Sequence, residues 1–290
     1  MNIIESIKEK LLPGKSNLYA KKIYINLLLN NAISRCAIAS ANRKVNPQQP
    51  STWEFSGFSQ NGEDGIIEFL ISALNYSNKY FLEIGTGNGI ENNTSYLGHI
   101  KKFSGLQVEG SDQFHADALM IKPWLVECMN SFVDETTVQA IYQKMLIKDP
   151  DVFSIDIDGN DYYITKLLLE TGLQPKIIVV EYNSAYGPEQ SKTIPYHKNF
   201  NMFATEFSYL YYGVSLQGWK NLLASYGYEF VTVDSNGVNA FFINTKEFAE
   251  GFINDIEKIE FKENQHQLRL FNTTHEGQFE KMKHLPFVNI

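Results

Sequence analysis

Five apolar segments alternate with helical patterns between residues 79 and 183, and this alternation most limits what the chain can fold into. The strand candidates are KYFLEIG, SGLQVEG, PWLVECMNSFV, DVFSIDID and KIIVVEYN. Between the last two, DYYITKLLLETG has apolar residues at helical spacing and ends at Gly172. Strands and helices that alternate at this spacing predict parallel βαβ units and a doubly wound sheet.

The pattern changes after the fifth strand candidate. YEFVTVDSNGVNAFFIN contains two further strand candidates on either side of Asn236-Gly237, a dipeptide typical of tight hairpin turns. We therefore expect an α/β fold with a mostly parallel, seven-stranded sheet that finishes in an antiparallel hairpin. The expected domains are a basic helical extension over 1–50, broken at Pro13-Gly14, a sheet domain over 51–245, and a helical or irregular extension over 246–290.

Charge is distributed unevenly along the chain. Residues 1–50 carry eight Lys/Arg and two Glu, whereas the remaining residues carry 17 basic and 31 acidic side chains. The acidic body argues against a nucleic-acid partner. The basic extension suggests attachment to an anionic membrane surface, although a solvated terminal helix would explain the same charges.

The cysteines and the apolar segments indicate where the protein works. Cys36 and Cys128 match no metal-binding spacing, no apolar run approaches 18 residues, and the first residues do not resemble a secretory signal. We therefore expect a cytoplasmic protein, with peripheral attachment to the inner membrane face as a hypothesis for residues 1–50.

The end of the first strand candidate has the composition of a ligand-binding turn. It reads Glu83-Ile-Gly85-Thr-Gly87-Asn88-Gly89, which lacks a third glycine at the spacing of dinucleotide-binding loops. Glu83 would repel a pyrophosphate but suits a cationic ligand. The second strand ends in Glu109, which can accept both hydroxyls of a ribose. These features fit S-adenosylmethionine, and a purely structural turn is the competing interpretation.

Carboxylates also follow the fourth and fifth strands. FSIDIDGND places Asp156, Asp158 and Asp161 within six residues, and the fifth strand ends in Glu181 and Asn183. Oxygen ligands from two adjacent strand ends would form a Mg²⁺ or Mn²⁺ site of Asp156, Glu181 and Asn183. Two alternatives remain open, because Asp158 could be a metal-free general base and Asp161 could only cap a helix.

Several motifs in order resemble those of the class I S-adenosylmethionine-dependent methyltransferases, particularly the FkbM-type group. They are SQNGEDG, FLEIGTGNG, VEG, IDIDGND, VVEYN and GVNAFF, and they span roughly residues 57–245. The resemblance implies a Rossmann-like methyltransferase fold, a carbohydrate or other hydroxyl-bearing acceptor, and a role for Gln60 and Glu63 in closing over the cofactor. Helix stabilisation alone would also explain acidic residues at Glu63 and Asp64.

The resulting hypothesis is an O-methyltransferase that acts on a hydroxyl of a cell-surface polysaccharide or glycan precursor. The candidate cofactor-binding residues are Gln60, Glu63, Glu83, Gly85, Gly87, Asn88, Gly89, Glu109 and Asp156. The candidate catalytic residues are Asp156, Asp158 and His197. The competing hypotheses are a non-catalytic docking subunit and a dinucleotide-dependent sugar oxidoreductase, which Glu83 and the missing glycine disfavour.

The long aromatic segment after the fifth strand is the candidate acceptor-binding loop. His197, Lys192 and Lys198 lie in it, near aromatic residues that suit stacking on a sugar. The two lysines would suit an acidic sugar. Tyr209, Tyr211 and Tyr212 are better explained as cover for the core.

Overall fold

The computed structural model describes residues 15–290, and its centre is a seven-stranded sheet. The strands of the chain are β1 Tyr80–Ile84, β2 Ser104–Glu109, β3 Val126–Asn130, β4 Val152–Ile155, β5 Ile177–Glu181, β6 Lys192–Thr193, β7 Tyr228–Val233, β8 Asn239–Asn244 and β9 Val288–Asn289. The large sheet has the order β3-β2-β1-β4-β5-β8-β7. Strands β1 to β5 are parallel, and β8 runs antiparallel to β5 and β7. The predicted fold class is confirmed.

Helices cover both faces of this sheet. The α-helices of residues 15–290 are α1 Lys15–Asn42, α2 Glu63–Ser72, α3 Ser95–His99, α4 Asp112–Ile121, α5 Val138–Lys144, α6 Asp161–Thr171, α7 Leu216–Ser225, α8 Gln265–Phe271 and α9 His275–Met282. Local sequence sets several of their ends. The Ser111 hydroxyl accepts the Phe114 amide at the start of α4, and Gly172 ends α6 at a φ of 107°.

The alternation of side chains along the strands divides the core into two layers. Leu82 and Ile84 of β1 pack on the face covered by α5, α6 and α7, where Trp219 is fully buried. Phe81 packs on the opposite face with Ile66 and other residues of α1, α2 and α3. Because consecutive residues of a strand point to opposite faces, a sheet buried on both faces needs a nearly continuous apolar strand.

A buried ion pair connects the segments at the amino-terminal ends of strands β1, β4 and β5. The Lys176 ammonium lies 2.8 Å from Asp151 Oδ1, and the two side chains are 3% and 0% exposed. The same carboxylate accepts the backbone amides of Asn78 and Lys79 at 3.0 and 2.9 Å. Asp151 therefore ties the residues that precede β1, β4 and β5 to one another.

The described parts of both terminal segments pack against this domain. In α1, Cys36 lies against Gly57, and Lys21 pairs with Asp117 of α4. Residues 246–290 contribute β9, which pairs with β6, and α9, which packs on the 3₁₀ turn Ser184–Tyr186. The domain boundaries stay predictions, and the predicted break at Pro13-Gly14 lies outside the described residues.

Within residues 15–290, no helix is both long enough and apolar enough to cross a membrane.

We predict that Lys176→Met lowers the free energy of unfolding by about 3–5 kcal/mol, because it leaves the buried Asp151 carboxylate without its cation. The matched control is Lys166→Met, which removes an exposed lysine 4.0 Å from Glu170 and should cost less than about 1 kcal/mol. Urea unfolding measures both values. Equal losses would show that the buried pair does not stabilise this edge.

Candidate functional site

A cavity of about 340 Å³ opens beyond the carboxyl ends of β1 to β4. Its lining includes the candidate residues Gly85, Gly87, Glu109 and Asp156, together with the aromatic ring of Phe132. This is the edge at which open α/β sheets bind ligands. Among the described lining residues there is no Lys or Arg, so the cavity offers an anionic ligand no cationic side chain.

Gly85 allows β1 and β4 to approach each other where they end. Its φ is 84°, and a Cβ atom at this position would lie 1.7 Å from the carbonyl oxygen of Asp156. Only glycine combines this backbone conformation with such a close approach. Two residues later, Gly87 has a φ of 55° and no heavy atom within 4 Å of its Cβ position, so this part of the loop faces open space.

Glu109 is fixed by two backbone amides at the end of β2. Its Oε2 accepts the Gly87 amide at 2.7 Å, and its Oε1 accepts the Ser111 amide at 2.7 Å. Each carboxylate oxygen keeps a further lone pair, so the group can still accept hydrogen bonds from a diol in the cavity. The carboxylate thus links the glycine loop of β1 to the end of β2.

Glu83 lies behind the glycine loop and does not line the cavity. It is 3% exposed, and its carboxylate accepts the Asn93 amide at 2.8 Å and the Thr94 hydroxyl at 2.5 Å. Burial raises the pKa of Glu83 to about 7. These contacts hold the segment that leads into α3, and direct cofactor binding by Glu83 stays a prediction.

Asn88 and Gly89 shape the same loop from within. The Asn88 side chain accepts the amides of Ile90 and Glu91, and a Cβ atom at Gly89 would lie 2.9 Å from Ala118. Neither residue lines the cavity. Both are needed for the shape of the loop, and their contact with a cofactor stays a prediction.

Gln60 and Glu63 lie away from the cavity lining. Gln60 is exposed, whereas Glu63 is buried and its carboxylate accepts the Asn61 amide at 2.6 Å and the Asn239 side chain at 2.7 Å. Glu63 therefore joins the start of α2 to β8. The proposed closure of both residues over a cofactor is not seen in this conformation and stays a prediction.

Three carboxylates converge beside the cavity, at the ends of β4 and β5. One oxygen from each of Asp156, Asp158 and Glu181 lies within 4.8 Å of the other two. Burial and mutual repulsion raise the pKa of Asp156 and Glu181 well above the usual range, and burial and Asp161 raise that of Asp158 to about 6. The cluster can therefore hold a cation or accept a proton.

Asp161 has a structural role in this turn. It is buried, its Oδ1 accepts the Ile157 amide, and its Oδ2 accepts the Gly159 amide, both at 2.8 Å. The residue at the cap position of α6 is Asn160, so the expectation that Asp161 caps this helix is corrected. Asp161 instead holds the loop that carries Asp158.

The prediction of Asn183 as a metal ligand is wrong. Its Nδ2 donates to the carbonyl oxygens of Leu210 and Tyr212 at 2.7 and 3.0 Å, and its Oδ1 accepts the Ala185 amide at 3.0 Å. These bonds fix the loop after β5 and engage both the nitrogen and the oxygen of the amide. Asp158 takes the place that the sequence assigned to Asn183.

The predicted catalytic residue His197 is not brought to the carboxylate cluster. It is exposed, and its backbone carbonyl oxygen accepts a hydrogen bond from the Asn160 side chain at 2.9 Å. Lys198 pairs with Asp134 at 2.9 Å, and the Lys192 ammonium lies 2.8 Å from Asn289. Neither lysine lines the first cavity, and the expectation that the two lysines serve an acidic sugar stays a prediction.

A second cavity, of about 300 Å³, adjoins the cluster on the side of β5. Asp158 lines both cavities, and Glu181, Tyr209, Tyr212 and His266 line the second. The Tyr212 hydroxyl donates to Glu181 Oε1 at 3.2 Å. No sequence pattern marks His266 as a ligand, and the sequence predicts that both tyrosines cover the core.

No protein-family model matches the chain, and no curated protein sequence matches it. Similar solved structures include the O-methyltransferase TomG from Streptomyces achromogenes in complex with SAM (14% identity over 72% of this chain and 93% of that chain, TM-score 0.41). Another is a putative O-methyltransferase from Klebsiella pneumoniae (15% identity over 82% of this chain and 93% of that chain, TM-score 0.39). A third is the Methanococcus jannaschii fibrillarin pre-rRNA processing protein (12% identity over 63% of this chain and 73% of that chain, TM-score 0.40). Similarity at this level carries no functional conclusion.

We predict that Gly85→Ala destabilises the protein far more than Gly227→Ala. Gly227 has nearly the same φ, 85°, but no heavy atom within 4 Å of its Cβ position, so its replacement measures backbone strain alone, about 1–2 kcal/mol. Gly85→Ala adds a collision with the Asp156 carbonyl oxygen. Urea unfolding of both variants measures the difference, and equal losses would mean that the β1–β4 contact is not tight.

Proposed function

We propose that the protein is an S-adenosylmethionine-dependent O-methyltransferase. The observation that carries this proposal is the first cavity, in which a glycine loop and Glu109 meet without a lysine or arginine among the described lining residues. A dinucleotide would bring a pyrophosphate to a surface of carboxylates. S-adenosylmethionine carries a sulfonium, an ammonium and a single carboxylate, so its net charge is positive and it is attracted by Asp156 and Asp158.

The proposed orientation of the cofactor follows from the lining of this cavity. The ribose hydroxyls would donate to Glu109, and the rings of Phe114 and Phe132 offer apolar faces for the adenine. The amino-acid end would lie along the loop that contains Gly85 and Gly87. The sulfonium methyl would then point toward Asp158, where the two cavities meet.

In the proposed reaction, an acceptor hydroxyl in the second cavity attacks the methyl group. The new bond joins this oxygen to the methyl carbon, the bond between carbon and sulfur breaks, and S-adenosylhomocysteine leaves. Asp158 lies at the junction and would take the hydroxyl proton as general base. Because a sulfonium readily releases its neutral thioether, the enzyme mainly needs to position the acceptor and remove its proton.

We also propose that the carboxylate cluster binds a divalent cation such as Mg²⁺ or Mn²⁺. Asp156 and Glu181 supply hard oxygen ligands that these ions prefer, and a cation bound by them would relieve the repulsion within the cluster. A bound cation would lower the pKa of an acceptor hydroxyl. Asp156 and Glu181 would hold the ion, while Asp158 faces the acceptor.

The proposed acceptor is a carbohydrate hydroxyl, such as that of a cell-surface polysaccharide or its precursor. The aromatic and polar lining of the second cavity supports a sugar-sized acceptor. A cytoplasmic location, with residues 1–50 at the inner membrane face, is part of the same proposal.

We predict that Glu109→Ala weakens the binding of S-adenosylhomocysteine by roughly 10- to 150-fold, the equivalent of about 1.5–3 kcal/mol for charge-assisted hydrogen bonds. The matched control is Glu127→Ala, which removes an exposed carboxylate from the neighbouring strand β3. Titration calorimetry measures both affinities, with NAD as a comparison ligand. Unchanged affinity in Glu109→Ala would remove this residue from the site, and tighter binding of NAD would overturn the proposed cofactor.

We predict that chelation abolishes methyl transfer but leaves S-adenosylhomocysteine binding nearly unchanged, because the cation would contact the acceptor and not the adenosine. Glu181→Gln should reproduce this loss, since a neutral amide is a weaker ligand for a hard cation. Asp158→Asn should slow transfer by about 10²–10⁴-fold whether or not a cation is bound.

The two roles of the cluster are separated by the same assays. If a chelator leaves the activity unchanged and Asp158→Asn slows transfer, the role of Asp158 as general base is supported and the proposed cation site is rejected. Full activity in all these variants would show that the cluster is structural.

A further inference from the structure

The second cavity is the size of a site for one ring. Its volume of about 300 Å³ lies at the lower end of the range of about 300–1,000 Å³ for small-molecule sites. Since Asp158 lines both cavities, a ring in the second cavity would have a hydroxyl at the place where the proposed methyl group arrives. Any acceptor longer than one ring would extend beyond this cavity.

One wall of this cavity is aromatic. The Tyr209 ring lies 5.8 Å from the His266 ring and 5.2 Å from the Phe203 ring, with interplanar angles of 67° and 82°. Aromatic faces carry partial negative charge and attract the C–H groups on the apolar face of a pyranose. For the His266 imidazole, the structure shows no hydrogen bond to any described side chain or backbone group, so it is free to bond a hydroxyl.

Two residues of the cavity hold unfavourable backbone conformations. Asp158 has a φ of 56° and Tyr209 a φ of 64°, a region that a bulky aromatic residue rarely adopts. Such conformations cost about 1–3 kcal/mol each and concentrate at ligand-binding sites. Both residues with these costly conformations line the second cavity.

The charge of the cavity distinguishes between classes of sugar. Its ionisable lining consists of Asp158, Glu181 and His266, with no lysine or arginine among the described residues. Lys192 and Lys198 of the acceptor loop are directed to partners elsewhere. A divalent cation held by the cluster would be offset by its own carboxylate ligands, so the cavity would still offer an anion no free cationic side chain among the described residues. A uronate carboxylate would remain without a counter-charge, which is unfavourable in a partly buried site.

We infer that the second cavity binds a single neutral pyranose ring, stacked on Tyr209 and bonded by His266, and that it rejects the corresponding uronate. This inference rests on the proposed function, because it names the acceptor of the same site. It assigns His266 as an acceptor-binding residue and Tyr209 as the stacking surface.

The test uses pairs of sugars that differ only at C6. Saturation-transfer NMR measures the binding of methyl glucoside and methyl galactoside, and of the matching methyl glucuronide and galacturonide, to the full chain with S-adenosylhomocysteine and Mg²⁺. We expect a neutral glycoside to bind at least tenfold more tightly than its uronide. Equal or tighter binding of the uronides overturns the inference, and so does the absence of binding by both neutral glycosides.

A charge reversal in the cavity provides the second arm. His266→Lys places a cation beside Asp158 and Glu181, so uronide affinity should rise at least tenfold. The control His284→Lys adds the same charge at an exposed histidine outside the cavity, 3.7 Å from Glu206, and should leave both sugar affinities unchanged. An unchanged uronide affinity in His266→Lys removes His266 from the acceptor site.

The affinity for S-adenosylhomocysteine is measured in the same samples. If the unmodified protein does not bind S-adenosylhomocysteine, the proposed function itself is refuted. Intact cofactor affinity combined with a preference for uronides would refute only the inference about the acceptor.

Discussion

The close approach of β1 and β4 at their carboxyl ends is the constraint on which the candidate site depends. Gly85 leaves its strand against the carbonyl oxygen of Asp156, with no space for a side chain between them. This contact positions the glycine loop beside the acidic turn, and Glu109 then fixes the loop through the Gly87 amide. A larger separation of these two strands would leave the two halves of the first cavity unable to contact one small ligand.

The acidic turn after β4 shows how the fold tolerates concentrated negative charge. The Asp161 carboxylate accepts hydrogen bonds from the amides of Ile157 and Gly159 and so fixes the backbone of the turn. Burial and neighbouring carboxylates raise the pKa of Asp156, Asp158 and Glu181, and one oxygen of each lies within 4.8 Å of the others. The structure thus separates one structural carboxylate from three that are available for chemistry.

Much of the fold was predictable because strand periodicity and the Asn236-Gly237 turn are local signals that fix strand direction. The composition of the cluster was less predictable. Asn183 lies two residues after Glu181 and would share its orientation in a continuing strand, but the chain leaves β5 at Glu181 and Asn183 bonds the following loop. Phe132 could have been found by applying to β3 the same rule of strand ends. No local pattern places His266 in the site, because α8 reaches it only through tertiary packing.

The two cavities draw on parts of the chain that lie far apart in sequence. The first is built from segments between residues 85 and 160, with Phe200 as its one later contributor, whereas much of the second comes from residues 202–212 and 264–267. Substitutions in the later segments can therefore reshape the second cavity while the glycine loop, Glu109 and the β1–β4 contact stay as they are. In evolutionary terms, the ligand of the second cavity can change while the ligand of the first stays the same. Asp158 lines both cavities, so it limits how independently the two cavities can change.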